Sequence, residues 1–232
     1  MSLQRQSPFD NLTTVVKYLL IANLICFIPY IVLSNSMYDA KVVSNMGVYY
    51  FNSQLFRPWQ IITYMFFHGG WTHILFNMFA LFSFGPILEY AIGPKKFFNL
   101  YFICGIGAIA FQMLVQAIQV HSLIGSFTAT NGLPITDPIV MAKLQAIYFT
   151  PVIGASGAIF GVLVAFGMLY PDLELMLLFI PVPIKAKYII PVYIVVEIWS
   201  GISPGAHDNV AHFAHLGGAL LGFIMIKVWR YR

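Results

Sequence analysis

Charge is the scarcest commodity in this chain: of 232 residues, 12 are Lys or Arg and 8 are Asp or Glu, so charged side chains make up 9%. A soluble domain carries about 25%. So small a share excludes a disordered chain and leaves almost no water-soluble fold open. Cysteine is nearly missing as well. Cys26 and Cys104 both fall in apolar stretches, which excludes a disulfide scaffold and a cysteine-built metal centre. There is no basic patch with interleaved aromatics. The net charge of +4 sits in short runs between apolar segments, so nucleic acid is not an expected partner. Internal repeats and low-complexity tracts are also absent.

What is present is apolar. Hydrophobic types make up 59% and aromatics 16%, and the few charges are placed so as to leave long uncharged gaps. Lys17 to Asp39 encloses 21 residues, Arg57 to Glu89 31, Lys96 to Asp137 40, Lys143 to Asp172 28 and Asp208 to Lys227 18. A bilayer core about 30 Å thick needs roughly 20 apolar residues at about 1.5 Å rise each. The chain is a polytopic membrane protein on this count. Six spans are expected: Val15–Leu33 with Pro29 as a kink, Trp71–Ala91, Phe97–Val120, Ser156 to just before Pro171, Lys185–Trp199, and Asn209–Val228. Residues 34–70 and 121–151, the latter with Asn131-Gly132, Pro134 and Pro138, are read as long polar loops. Leu173–Pro183 is read as an extended connection at the interface.

Loop cations set the orientation. With the N-terminus inside, Arg5, Lys17, Lys95, Lys96, Lys185, Lys187, Lys227, Arg230 and Arg232 are cytoplasmic, against Lys41, Arg57 and Lys143 outside. Residues 1–14 are then a short cytoplasmic segment with no signal-cleavage site, and 15–232 form the membrane domain. Trp71, Trp199 and Trp229 fit the interfacial aromatic belt.

Polar residues in such a chain carry the information, because lipid and helix packing favour apolar ones. Three clusters stand at the outer ends of their spans. One runs from His68-Gly69-Gly70 to His73 and Asn77, the last two four apart on one helix face. The second is Gly154-Ala155-Ser156-Gly157, and the third His212-Phe213-Ala214-His215-Leu216-Gly217-Gly218. A serine at a helix N-terminus has a backbone N–H oriented outward, which suits an oxyanion. A histidine near its hydroxyl supplies the general base that a weak nucleophile needs. His73 and Asn77 offer further oxyanion donors. Gly157-x-x-x-Gly161 and Gly218-x-x-x-Gly222 let the fourth and sixth helices approach closely. Phe160, one turn beyond Ser156, is placed to pack on the His215 ring. His212 is read as a polar partner in the same cavity, and His68 as a residue that holds water or orients the loop. His121 and His207 are read as solvated, and Glu197 as a structural hydrogen bonder or a residue facing the cavity.

On these residues the chain resembles the rhomboid intramembrane serine proteases. The family's GxSG motif appears as Gly154-Ala155-Ser156-Gly157, its histidine–asparagine motif as His73 to Asn77 with His68 upstream, and its helix-6 motif as Ala214-His215-Leu216-Gly217-Gly218. The resemblance implies an all-α, six-transmembrane-helix bundle and hydrolysis of peptide bonds in transmembrane segments by a Ser156–His215 dyad with no aspartate. It also implies an oxyanion hole of the Ser156 backbone, His73 and Asn77, and a structural role for Glu89. Expected partners are single-span or polytopic membrane-protein substrates and membrane lipids, with no cofactor and no metal. The expected location is a bacterial inner membrane with both termini cytoplasmic. One departure is visible: the family's outer-loop Trp-Arg is Trp59-Gln60 here, with Arg57 two residues earlier.

Rival readings are a zinc site on His212, His215, His68 and His73, a proteolytically inactive client-binding relative, and a channel or transporter. Against the first, there is no His-Glu-x-x-His helix and no Cys set, and no acidic ligand is expected near these histidines. The second usually lacks the serine or histidine, and the third would show a repeat or mid-membrane ion pairs.

Overall fold

The computed structural model describes residues 12–129, 136–177, 180–203 and 211–229. Arg5, Asn131-Gly132, Pro134, His207, Arg230 and Arg232 lie outside them. Seven helices of a turn-rich, all-α membrane bundle dominate: α1 Thr14–Val32, α2 Trp71–Ile92, α3 Pro94–Ile124, α4 Pro138–Phe149, α5 Ser156–Leu169, α6 Ala186–Ile202 and α7 His212–Val228. Three of them, α1, α2 and α3, are long and apolar enough to cross a membrane by length and composition, while α4, α5 and α7 are shorter apolar helices.

Local chemistry explains where the helices begin and end. The first N–H groups of a helix lack intrahelical partners. For α1 they are met by Glu89 at the far end of α2, whose carboxylate accepts from Val15 N (3.0 Å), Val16 N (2.9 Å) and the Thr13 hydroxyl (2.5 Å). Anionic acceptors are favoured there by the helix dipole as well. Gly93, at φ +82°, ends α2 with its N–H on the Glu89 carbonyl, and Pro94 opens α3 at once. Glycine tolerates that backbone conformation, and proline loses nothing at a first helical position.

Two expectations need correction. The stretch 121–151 is not loop throughout: Pro138–Phe149 forms α4, capped by the Asp137 carboxylate accepting from Ile139 N at 2.8 Å. The connection after α5 is extended, as expected, but it pairs with itself. Strands β1 (Glu174–Leu177) and β2 (Ile180–Lys185) form an antiparallel hairpin, Glu174 opposite Lys185 and Leu175 opposite Ile184.

Helix α5 is the centre of the bundle, packed on α7, α3, α2 and α6. Its sequence is apolar all round, as a helix enclosed by others must be, and Ala158, Val162, Ala165 and Phe166 are buried to within 1%. The core continues through Leu81 and Leu88 of α2, Leu100, Tyr101 and Cys104 of α3, and Ile226 of α7. Between α5 and α7 the glycines touch backbone to backbone. A Cβ on Gly218 would run into the Gly157 carbonyl, and one on Gly222 into that of Gly161. Helix α6 is attached differently: among its described residues only Ala186 and Glu197 are buried, while Val192, Val195, Val196, Ile198 and Trp199 are exposed.

Residues 34–70 fold into short helical turns laid against the bundle. Gln60, standing where the family's arginine is usual, is fully buried. Its amide donates to Leu55 O (3.1 Å) and Asn45 O (3.4 Å) and accepts from Arg57 N (2.9 Å). Trp59 Nε1 donates to Asn45 O as well (3.1 Å). Glutamine thus ties the loop together with neutral donors and acceptors instead of a charge.

Candidate active site

The segment before α5 is clamped by the stretch between α1 and α2. Val48 and Val152 exchange both backbone hydrogen bonds (2.9 and 2.8 Å), and Gly154 N donates to Tyr64 O at 2.8 Å. Tyr64 is in turn held by its hydroxyl donating to Gly105 O of α3 at 2.6 Å. At Gly154 the backbone turns through φ +123°, a conformation that favours glycine. The chain then enters α5, with Ser156 as its first residue. The serine is therefore fixed from three sides, with its N–H among the outward-facing amides of a helix start.

Across the glycine contact, α7 carries His215. Its Nε2 lies 2.7 Å from Ser156 Oγ. Phe160 stacks on the His215 ring, centroids 4.3 Å apart and planes 8° from parallel. The two side chains expected to meet do meet, and the expected contact of Phe160 with the His215 ring is present.

Of the other expected donors, His73 lies beside the serine. A Cβ at Gly154 would be 2.5 Å from His73 Nε2 and 3.7 Å from Ser156 Oγ, so both polar atoms border the space over Gly154. Gly69 N lies 3.5 Å from His73 Nδ1, directed at it as a donor. An Nδ1 that accepts leaves the proton on Nε2, the nitrogen facing the serine. Asn77 is 6% exposed, and its Nδ2 has no hydrogen-bond partner among the described residues. A buried donor left open in this way is uncommon. His68 is wholly buried, packed edge-on against the His73 ring with centroids 5.0 Å apart, and neither ring nitrogen has a partner among the described residues. Burial, with His73 as a second cause, pushes its pKa down to about 3 and keeps it neutral. Its carbonyl accepts from Tyr38 Oη at 2.9 Å.

His212 is held by Glu197, its Nδ1 2.7 Å from Glu197 Oε2. The same oxygen lies 3.0 Å from His215 Nδ1. This corrects the reading that no acidic group stands near these histidines. Glu197, His212 and His215 offer potential ligand atoms within 4.8 Å of one another. Here both nitrogens are hydrogen-bonded to the carboxylate. The only sequence signal for the grouping is one acidic residue in an otherwise apolar span. His121 is exposed at the end of α3, its ring 4.6 Å from that of Phe127.

Comparison with known proteins follows the same lines. The sequence profile described as Rhomboid domain matches residues 55–232. The chain is 29% identical over 165 residues to rhomboid protein 1, mitochondrial, of Saccharomyces cerevisiae, covering 71% of this chain and 40% of that one. It is 30% identical over 171 residues to rhomboid protease AarA of Providencia stuartii, covering 72% and 54%. It is also 30% identical over 176 residues to putative rhomboid protease YdcA of Bacillus subtilis, covering 73% and 68%. The chain spans about half the length of the first two of these relatives.

Proposed function

Because this chain belongs to the rhomboid family, we propose that it is an intramembrane serine endopeptidase that hydrolyses peptide bonds in or near transmembrane segments of other membrane proteins. The observation that carries the reading is the 2.7 Å approach of His215 Nε2 to Ser156 Oγ. An inactive client-binding relative would have no need to keep a hydroxyl and an imidazole in register across a helix contact closed by glycines.

In the proposed mechanism Ser156 Oγ attacks the substrate carbonyl while His215 Nε2 takes its proton. The carbonyl oxygen becomes an oxyanion, met by the Ser156 N–H, His73 Nε2–H and Asn77 Nδ2–H. Donors already in place when charge develops lower the barrier most in a site of low dielectric. His215 then returns the proton to the leaving amine. Water, activated by the same imidazole, hydrolyses the acyl-enzyme. His68 is fitted to hold a water beside His73. Phe160 fixes the plane of the base, and Gly154, Gly157 and Gly218 provide the close approach.

Six membrane crossings, by α1, α2, α3, α5, α6 and α7, place the serine on the side away from the cytosol, with the described cations Lys17, Lys95, Lys96, Lys185, Lys187 and Lys227 inside. Substrate enters sideways from lipid between α2 and α6 and unwinds its upper turn, since an intact helix hides its carbonyls. Small residues at the cut and helix breakers below it are favoured. The membrane proposed is a bacterial inner membrane.

Labelling with a fluorophosphonate, wild type against Ser156→Ala, together with cleavage of a model single-span substrate in liposomes, tests the reading. Wild type takes the label and cuts; Ser156→Ala and His215→Ala do neither. Cleavage by Ser156→Ala would sink it.

A further inference from the structure

We propose that Glu197 is a positioning residue for the serine–histidine pair, its carboxylate holding the His215 imidazole in the tautomer and orientation in which Nε2 faces Ser156. This rests on the reading of Ser156 and His215 given above.

The argument starts from valence. An ionised carboxylate only accepts hydrogen bonds. Oε2 of Glu197 lies 3.0 Å from Nδ1 of His215 and 2.7 Å from Nδ1 of His212, so each Nδ1 carries its proton and donates. For His215 that leaves Nε2 with a lone pair, directed at the Ser156 hydroxyl 2.7 Å away. The hydroxyl is therefore the donor of that contact, which is the arrangement proton abstraction requires. The Ser156 hydroxyl can donate or accept, so its contact with Nε2 does not select this tautomer, whereas an acceptor at Nδ1 does. The Phe160 ring fixes the plane of the imidazole but not which nitrogen is protonated.

Burial supports the assignment. Glu197 and His215 are each 8% exposed. A carboxylate inside an apolar helix is costly unless it is paired and hydrogen-bonded, and both histidines supply that pairing. Glu197 is also one of two buried residues among those described in α6. The same carboxylate that orients the base is thus the polar tie between α6 and α7, so the site has its aligned base only while α6 is docked. His212 takes the second lone pair of the oxygen and keeps the carboxylate aimed at its neighbour.

The test uses the full chain in liposomes with a single-span substrate, comparing wild type, Glu197→Gln, Glu197→Asp and Ser156→Ala. Glu197→Gln is expected to lower kcat by about 10- to 10³-fold, below the loss of roughly 10⁴ seen when a protease's buried orienting carboxylate is neutralised. KM should stay within about twofold and the melting temperature close to wild type. Glu197→Asp should recover part of kcat. Histidine ¹⁵N spectra should show His215 protonated at Nδ1 in wild type and a mixed tautomer in Glu197→Gln. Unchanged kcat and tautomer in Glu197→Gln overturn the inference, as does a loss that appears only in KM or in stability. Abolition of wild-type cleavage by a chelator, with restoration by zinc, also overturns it, because the three residues would then be ligands. If Ser156→Ala cleaves, the assignment of the nucleophile fails. If Ser156→Ala is dead and Glu197→Gln is fully active, only the role of Glu197 fails.

Discussion

The ring of Phe160 lies flat on the imidazole of His215, 4.3 Å between centroids and 8° between planes. Phe160 is one turn along α5 from Ser156, so one helix supplies both the hydroxyl and the surface that sets the angle of its partner. A stacked pair of this kind contributes about 0.5–1.5 kcal/mol beyond its buried area. Phe160→Leu, which keeps most of the volume, should lower kcat about three- to tenfold in a proteoliposome cleavage assay with little change in KM.

The Asn77 Nδ2, without a partner among the described residues, gives a prediction in which stability and activity diverge. As an oxyanion donor, its removal in Asn77→Ala should cut kcat by up to about 10²–10³-fold. The same change deletes a buried donor that has no partner among the described residues, so the melting temperature in detergent should hold or rise. A lower melting temperature with unchanged kcat would show that Asn77 is structural.

Gly218 has no room for a methyl group, because its Cβ would meet the Gly157 carbonyl. Overpacking of this kind costs about 1–3 kcal/mol, and the backbone shift would also move His215 away from Ser156. Gly218→Ala should lower both the melting temperature and fluorophosphonate labelling. Leu220→Ala, at a half-exposed position of the same helix, should lower neither appreciably.

Glu89 lies 16 positions from His73 along α2, about 24 Å at 1.5 Å per residue. It accepts three hydrogen bonds from the start of α1 while 3% exposed. Bonds to a charged acceptor are worth about 1.5–3 kcal/mol each, and they are not additive. Glu89→Ala should therefore lower unfolding stability by about 3 kcal/mol, measured by chemical denaturation in detergent. The folded fraction should keep wild-type kcat.

Much of this molecule can be read from the chain, for reasons specific to a membrane solvent. Lipid tolerates so few polar groups that Ser156, His215, His73 and Asn77 stand out one by one, and the glycine spacing announces which helices touch. The helix positions follow as well: Trp71 and Ser156 begin α2 and α5 where expected. What is not legible is non-local. Glu197 is 18 positions from His215 and on another helix, and no spacing rule links them. Helix α4 was hidden in a stretch punctuated by turn residues, although Asp137-Pro138 is a good helix start. The β1–β2 pairing depends on register across residues whose apolar pattern alone reads as a bare connection.

Helix α5 has 14 residues, about 21 Å of rise, against a hydrocarbon slab of about 30 Å. In the orientation proposed above, with its inner end at the cytosolic boundary, its serine would stop about 9 Å short of the opposite surface. That shortfall is fixed by covalent geometry, while the slab is set by the lipid. Longer acyl chains deepen the well that a scissile bond and a water molecule must descend, and shorter ones lift the serine towards the headgroups. Turnover should accordingly track acyl-chain length even where lipid charge is held constant.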